Sequence, residues 1–170
     1  MKRLISIMAL AACVALPAFA QQSSQTAVAN FVGKDGKENG RAALTSAKGG
    51  ILIEVEVTGL PPRTWVAFHV HETGQCDAAQ GHESAGGHFN PGKTEHGFLA
   101  VDGPHAGDMP NQYVGADGVL RAQVFNTLVQ LDGEQNSVRG RALMIHAESD
   151  DNRSQPSGGA GERLACAVIE

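Results

Sequence analysis

Residues 51–57 read Ile-Leu-Ile-Glu-Val-Glu-Val, with Ile51, Ile53, Val55 and Val57 on one parity and Glu54 and Glu56 on the other. A repeat of two matches the alternating faces of a β-strand and no helix face. Seven other runs have strand character: Ala27–Val32, Gly40–Ser46, Trp65–His71, Gln112–Gly115, Val119–Phe125, Arg141–His146 and Arg163–Ile169. Turn residues separate them, among them Gly33-Lys34-Asp35-Gly36 and Gly59-Leu60-Pro61-Pro62. Asp117-Gly118 is placed to close a tight hairpin between the runs on either side of it. No helical period is visible after residue 20. The pattern predicts an all-β domain, an eight-stranded antiparallel barrel or sandwich. Two connections, Glu72 to Met109 and Ala147 to Glu162, are too long for turns, and each begins directly after a strand that ends in histidine. Structureless segments of that length in a compact domain are functional or tied down.

Those connections carry the candidate chemistry. On the strand Trp65–His71, residues Val66, Phe68 and Val70 share the face that can enter a core. His69 and His71 share the opposite face, about 7 Å apart at the usual strand rise. A single His-x-His pair is a weak signal, because many strands carry one. The following loop adds His88, His96, His105 and Asp108, and seven of its residues between 81 and 107 are glycine. Three imidazoles and one carboxylate form a closed tetrahedral set suited to Zn²⁺. Glycine lets the backbone fold sharply around an ion, and the ion would in turn order the loop. A solvated loop with scattered histidines is the competing reading. If that set binds zinc, His69, His71 and His146 remain as an all-imidazole group. Such a group suits Cu²⁺, which stands at the top of the divalent affinity order. Two metals of which one is redox-active point to one-electron chemistry on a small molecule.

Residues 1–20 have a basic start, an apolar run from Leu4 to Leu16 and the small-residue cleavage pattern Ala18-Phe19-Ala20. They read as a secretory signal peptide, leaving one domain over 21–170. Leu10-Ala11-Ala12-Cys13 gives a second option, a lipid anchor through Cys13. Removing Lys2 and Arg3 takes the formal charge from −5 to −7. A chain this acidic, with no basic run, is not built for nucleic acid, and nothing in the mature part predicts membrane insertion. Cys76 and Cys166 remain in an exported chain and are expected to form a disulfide rather than two free thiols.

Taken together, Phe68-His69-Val70-His71-Glu72, Gly87-His88-Phe89-Asn90-Pro91, His105-Ala106-Gly107-Asp108, Asp117-Gly118, His146 with Asp150-Asp151, and Gly161-Glu162-Arg163-Leu164-Ala165-Cys166 closely resemble the copper/zinc superoxide dismutase family, in family order. The resemblance spans roughly Ala27 to Ile169. It implies a Greek-key barrel, a fold placed among the β-sandwich architectures. It also implies copper on His69, His71, His88 and His146, and zinc on His88, His96, His105 and Asp108, with His88 shared. Asp150 would orient ligand histidines from outside. Arg163 would attract and orient the superoxide anion, and His88 would hand on a proton. Cys76 and Cys166 match the family's disulfide. The implied reaction is dismutation of superoxide to oxygen and hydrogen peroxide as the copper is alternately reduced and oxidised.

The chain departs from the eukaryotic pattern in two places. Eleven residues separate Cys76 from His88, and this longer stretch carries His82, which reads as a solvated loop residue, with copper capture as the alternative. The loop after His146 is short, and Arg153 is its only cation. With the leader, these features point to a bacterial, periplasmic member. Family members occur as dimers and as monomers, and the sequence leaves a homodimer open. A cupin-type oxygenase also uses His-x-His on a barrel, but its glutamate falls several residues later, whereas Glu72 follows at once. A metal carrier without catalysis would have no need of Arg163.

Overall fold

The alternation at 51–57 becomes the third of nine strands in a computed structural model that describes residues 25–133 and 135–170. The leader-like residues 1–20, including Cys13, lie outside the described residues. The strands are β1 (Thr26–Gly33), β2 (Glu38–Ala47), β3 (Gly50–Val57), β4 (Trp65–Val66), β5 (Phe68–His71), β6 (Gln112–Tyr113), β7 (Leu120–Asn126), β8 (Ala142–His146) and β9 (Arg163–Val168). Among the described residues there is no α-helix, and none long and apolar enough to cross a membrane.

Seven strands form one sheet in the order β5-β8-β9-β1-β2-β3-β7, with every pair antiparallel. The run Trp65–His71 is divided at Ala67, so its first half pairs with β6 and its second half with β8. A single bridge between Val114 and Leu120 ties the β6 segment to β7. The curled sheet is thereby joined edge to edge, and the eight sequence runs correspond to eight staves. The Asp117-Gly118 turn forms as expected, with Gly115 N donating to Val119 O at 2.9 Å. The ladder of β6, however, lies with β4 rather than with β7. Two residues leave too short a strand for a hairpin ladder of its own, and β4 offers a free edge.

The interior follows the alternation. Phe31, Leu44, Ile53, Val55, Val66, Phe68, Val70, Leu120, Leu143 and Ile145 belong to one buried cluster. Each such side chain contributes about 1.5–3 kcal/mol when fully removed from water. β8 is buried on both faces. Leu143 and Ile145 enter the barrel, while Ala142 and Met144 pack outside it with Ala85 and the Cys76–Cys166 pair. That outer layer is formed by the long loop after β5, and beneath it lies the site.

Candidate metal centre

β5 supplies the foundation. On one edge it pairs with β8, setting His69 opposite Met144 and His71 opposite Ala142. On its other edge the loop returns as if it were a strand. Val70 N donates to Gly107 O and Phe89 N donates to Val70 O, both at 2.8 Å. These bonds create isolated bridges that set His88 beside His71 and Asp108 beside His69. Backbone ladders therefore place four of the expected side chains. His146 ends β8 at a register shift, where its cross-strand partner is Arg163. A bulge of this kind re-aims side chains, and here it turns both residues toward the loop end of the barrel.

All seven expected ligand side chains come together and are buried. Ligand atoms of His69, His71, His88 and His146 lie within 4.8 Å of one another, and so do those of His88, His96, His105 and Asp108. His88 belongs to both sets. Hydrogen bonds from the protein decide which imidazole nitrogens are left over. Nε2–H of His69 donates to Asp150 Oδ2 at 2.8 Å, and Nε2–H of His96 to Asp150 Oδ1 at 3.0 Å. Nδ1–H of His71 donates to Gly86 O at 2.9 Å, and Nδ1–H of His146 to Gly161 O at 3.4 Å. What remains is His69 Nδ1, His88 Nε2 and His105 Nδ1, buried without a hydrogen-bond partner among the described residues. Nε2 of His71 and Nε2 of His146 face each other at 3.2 Å. On the other side, Nδ1 of His88 and Nδ1 of His96 each lie 3.0 Å from Asp108 Oδ1, and Nδ1 of His105 lies 3.5 Å from it. A buried unsatisfied polar group costs about 1–3 kcal/mol. Several lone pairs converging in two adjacent places are what a pair of cations would satisfy, so the residues fit copper and zinc.

The electrostatics of His69, His71, His105 and His146 agree. Burial lowers the pKa of His69 to about 4, against a counteracting hydrogen bond to Asp150. Burial, reinforced by His69 and His88, lowers that of His146 to about 3. Burial and the neighbouring His88 and His146 push His71 well below its ordinary value. Neutral imidazole is the form that can ligate. His105 is also lowered, chiefly by burial. His96 goes the other way: burial opposes its charge, but hydrogen bonds to Asp108 and Asp150 prevail and raise it to about 9. Asp108 and Asp150 both lie well below the usual carboxylate range. Burial resists ionisation, yet hydrogen bonds from His88 and His96 to Asp108, and from His69 and His96 to Asp150, override it.

Several supporting residues carry no signal in the sequence. Asn111 clamps Asp150, its Nδ2 donating to Asp150 O and its Oδ1 accepting from Asp150 N, each at 2.8 Å. Gln155 clamps His96 in the same reciprocal way, at 2.8 Å and 2.9 Å. Together they fasten the short second loop to the long first one. Gly158, at φ +66°, leaves room for the Asp150 carboxylate, and any Cβ there would overlap Asp150 Oδ1. A Gly-Gly pair in a loop is the one hint of that requirement. His82 departs from expectation. Far from being solvated, it is fully buried, and neither ring nitrogen has a hydrogen-bond partner among the described residues. The disulfide holds the start of its segment against β9, and the left-handed backbone at His82 (φ 61°) accompanies an inward-facing ring close to Gly33 and Arg163.

The sequence model for copper/zinc superoxide dismutase matches residues 38–169. The chain belongs to that family. Its relatives include superoxide dismutase [Cu-Zn] 1 of Aquifex aeolicus, 43% identical over 164 residues that cover 94% of this chain and 96% of the relative. The superoxide dismutase [Cu-Zn] of Caulobacter vibrioides is 40% identical over 142 residues, 80% of each chain. Among solved structures, the Cu/Zn superoxide dismutase from Brucella abortus aligns with a TM-score of 0.71 at 30% identity, covering 86% of this chain and all of that one (100%). A SOD-like protein from Bacillus subtilis aligns with a TM-score of 0.80 at 35% identity, over 84% of this chain and 97% of that one. The Greek-key barrel expected of copper/zinc superoxide dismutases is thus the fold of this chain, and its two histidine sets are groups that fit a copper and a zinc site.

Proposed function

We propose that His69 Nδ1, His71 Nε2, His146 Nε2 and His88 Nε2 hold copper, and that His88 Nδ1, His96 Nδ1, His105 Nδ1 and Asp108 hold zinc. The observation that carries this division is the membership of His88 in both buried sets, with Nδ1 turned to Asp108 and Nε2 left without a partner. As a copper/zinc superoxide dismutase, the chain converts two superoxide anions and two protons to oxygen and hydrogen peroxide. When bound, copper supplies the one-electron couple and zinc a fixed positive charge.

The residues of the chain divide the remaining tasks. Asp150 holds the Nε2 protons of His69 and His96, which fixes both tautomers and leaves Nδ1 of each free to ligate. His88 Nε2 is the atom we assign to carry a proton toward the peroxide product. Arg163 lies cross-strand from His146 and is the cation we assign to bind and orient the anion. Its role matters because the formal charge of the whole chain is −5 and cannot draw an anion. We infer that residues 1–20 are removed on export and that 21–170 work in the periplasm, an oxidising compartment in keeping with the disulfide.

Replacing Arg163 by Ala is expected to slow dismutation about tenfold or more at low ionic strength with copper and zinc content unchanged. Arg163→Lys keeps the charge without the two-pronged guanidinium and is expected to fall between. Steady rates by pulse radiolysis, together with metal analysis, decide it. Wild-type kinetics in Arg163→Ala would remove Arg163 from the mechanism.

A further inference from the structure

The segment between Cys76 and His88 both holds Arg163 and sets a charge against it. Asp77 caps a single 3₁₀ turn, Ala78–Gln80, by accepting from Ala79 N at 3.0 Å, and a second turn, Glu83–Ala85, follows. Gly81 and His82 are both left-handed, at φ 60° and 61°, and reverse the chain between the two turns. The buried ring of His82 seats the reversal, and the Cys76–Cys166 disulfide anchors its start to β9. The outcome is a pair of carbonyls aimed at Arg163. Nη1 donates to His82 O at 2.8 Å and Nη2 to Gly86 O at 2.9 Å.

A third contact differs in kind. Glu83 Oε2 lies 3.3 Å from Arg163 Nη2, and the Glu83 side chain is 72% exposed where that of Arg163 is 14% exposed. Two carbonyls already fix the guanidinium, so the carboxylate is not needed to position it. What Glu83 adds is a negative charge beside the cation assigned to attract the substrate. The neighbouring acid is treated differently: Glu162 is matched by Lys34 Nζ at 2.7 Å, which offsets its charge locally.

We infer that Glu83 is a specificity-determining counter-charge that weakens the pull of Arg163 on anions and weakens it most for anions of higher charge. This inference rests on the reading of Arg163 given above. Coulomb repulsion scales with the charge of the approaching ion. A carboxylate at the mouth therefore disfavours a divalent anion such as hydrogen phosphate about twice as strongly, in free energy, as monovalent superoxide. The factor by which Glu83 reduces phosphate binding is then near the square of the factor by which it reduces superoxide capture. The cation keeps its geometry for a small singly charged substrate, while phosphate, a natural guest for a guanidinium fork, is held off.

The test compares the metal-loaded wild type with Glu83→Gln, Glu83→Asp and Arg163→Ala. In Glu83→Gln the second-order rate with superoxide is expected to rise about two- to threefold at an ionic strength of about 10 mM and to converge with wild type near 1 M, where charges are screened within about 3 Å. Inorganic phosphate is expected to bind tighter by about the square of that factor. Its dissociation constant is read from the Arg163 Nη–H resonances with the copper reduced, a measurement independent of turnover. Glu83→Asp keeps the charge and is expected to behave as wild type. Because the Glu83 carboxylate is itself exposed and two carbonyls hold Arg163 without it, the melting temperature of each Glu83 variant stays within about 4 °C of wild type. An unchanged or slower rate in Glu83→Gln, or equal gains for superoxide and phosphate, overturns the counter-charge while Arg163→Ala remains slow. If Arg163→Ala itself runs at the wild-type rate, the reading of Arg163 fails and the inference fails with it.

Discussion

Replacing His88 by Ala yields a protein that keeps its barrel, loses its grip on zinc and loses most of its activity. The expectation follows from geometry. His88 is the one side chain that joins both buried ligand sets, with Nδ1 3.0 Å from Asp108 Oδ1. Its backbone bridge to His71 does not depend on the imidazole, so the loop retains its place on the edge of β5. The zinc set falls to three ligands, and removing even a residue that only supports a ligand weakens metal binding 10–100-fold. Dismutation is expected to drop at least about 100-fold, the scale of a lost proton donor, with disturbed copper geometry adding to the loss. Metal retention against a chelator and the dismutation rate are measured on the same preparation. Zinc retention and copper spectra like those of wild type would refute the sharing of His88.

Removing the disulfide has the second large effect, and it acts through stability. Cys76 and Cys166 stand 5.6 Å apart at Cα and close a loop across a sequence separation of 90. In the chain-entropy model a loop of that size is worth about 4–5 kcal/mol. For a domain of this size, a Cys76→Ser/Cys166→Ser double variant in metal-free form is expected to melt about 10–15 °C lower. The loss does not stop at stability. The bridge anchors the segment that ends at Gly86, whose carbonyl accepts from both His71 Nδ1 and Arg163 Nη2. Freeing that segment loosens His71, the proposed ligand, and Arg163, the proposed anion-binding cation, together, so turnover of the metal-loaded variant is expected to fall as well. Calorimetry of the metal-free protein that finds the melting temperature unmoved would contradict the stability claim. Wild-type turnover after metal loading would contradict the anchoring claim.

The parts of the fold that were legible in the sequence are those governed by local periodicity. Ile51 to Val57 declared a strand because both of its faces were written in seven consecutive residues. His69 and His71 declared a shared face for the same reason. The loop ligands were legible as residue types but not as positions. The bridges that set His88 beside His71 and Asp108 beside His69 join residues far apart in sequence, through backbone atoms that have no compositional signature. The same holds for Asn111 and Gln155, ordinary loop residues until the second loop is folded against the first. The burial of His82 is not legible in the sequence, because a polar residue in a glycine-rich loop is normally solvated. Here the disulfide, the Asp77 cap and two left-handed residues carry it inward. The division of the run Trp65–His71 between two partners was equally hidden, since either half alone reads as strand.

The shared histidine is expected to let one chain hold both metals and use the pair to dismutate superoxide. The most direct measurement is metal analysis and a superoxide assay on a single sample of the purified protein loaded with copper and zinc. About one copper and one zinc per chain are expected, with a dismutation rate that rises in proportion to copper content. Zinc without copper after loading, or full occupancy of both metals with no dismutation, would contradict this expectation.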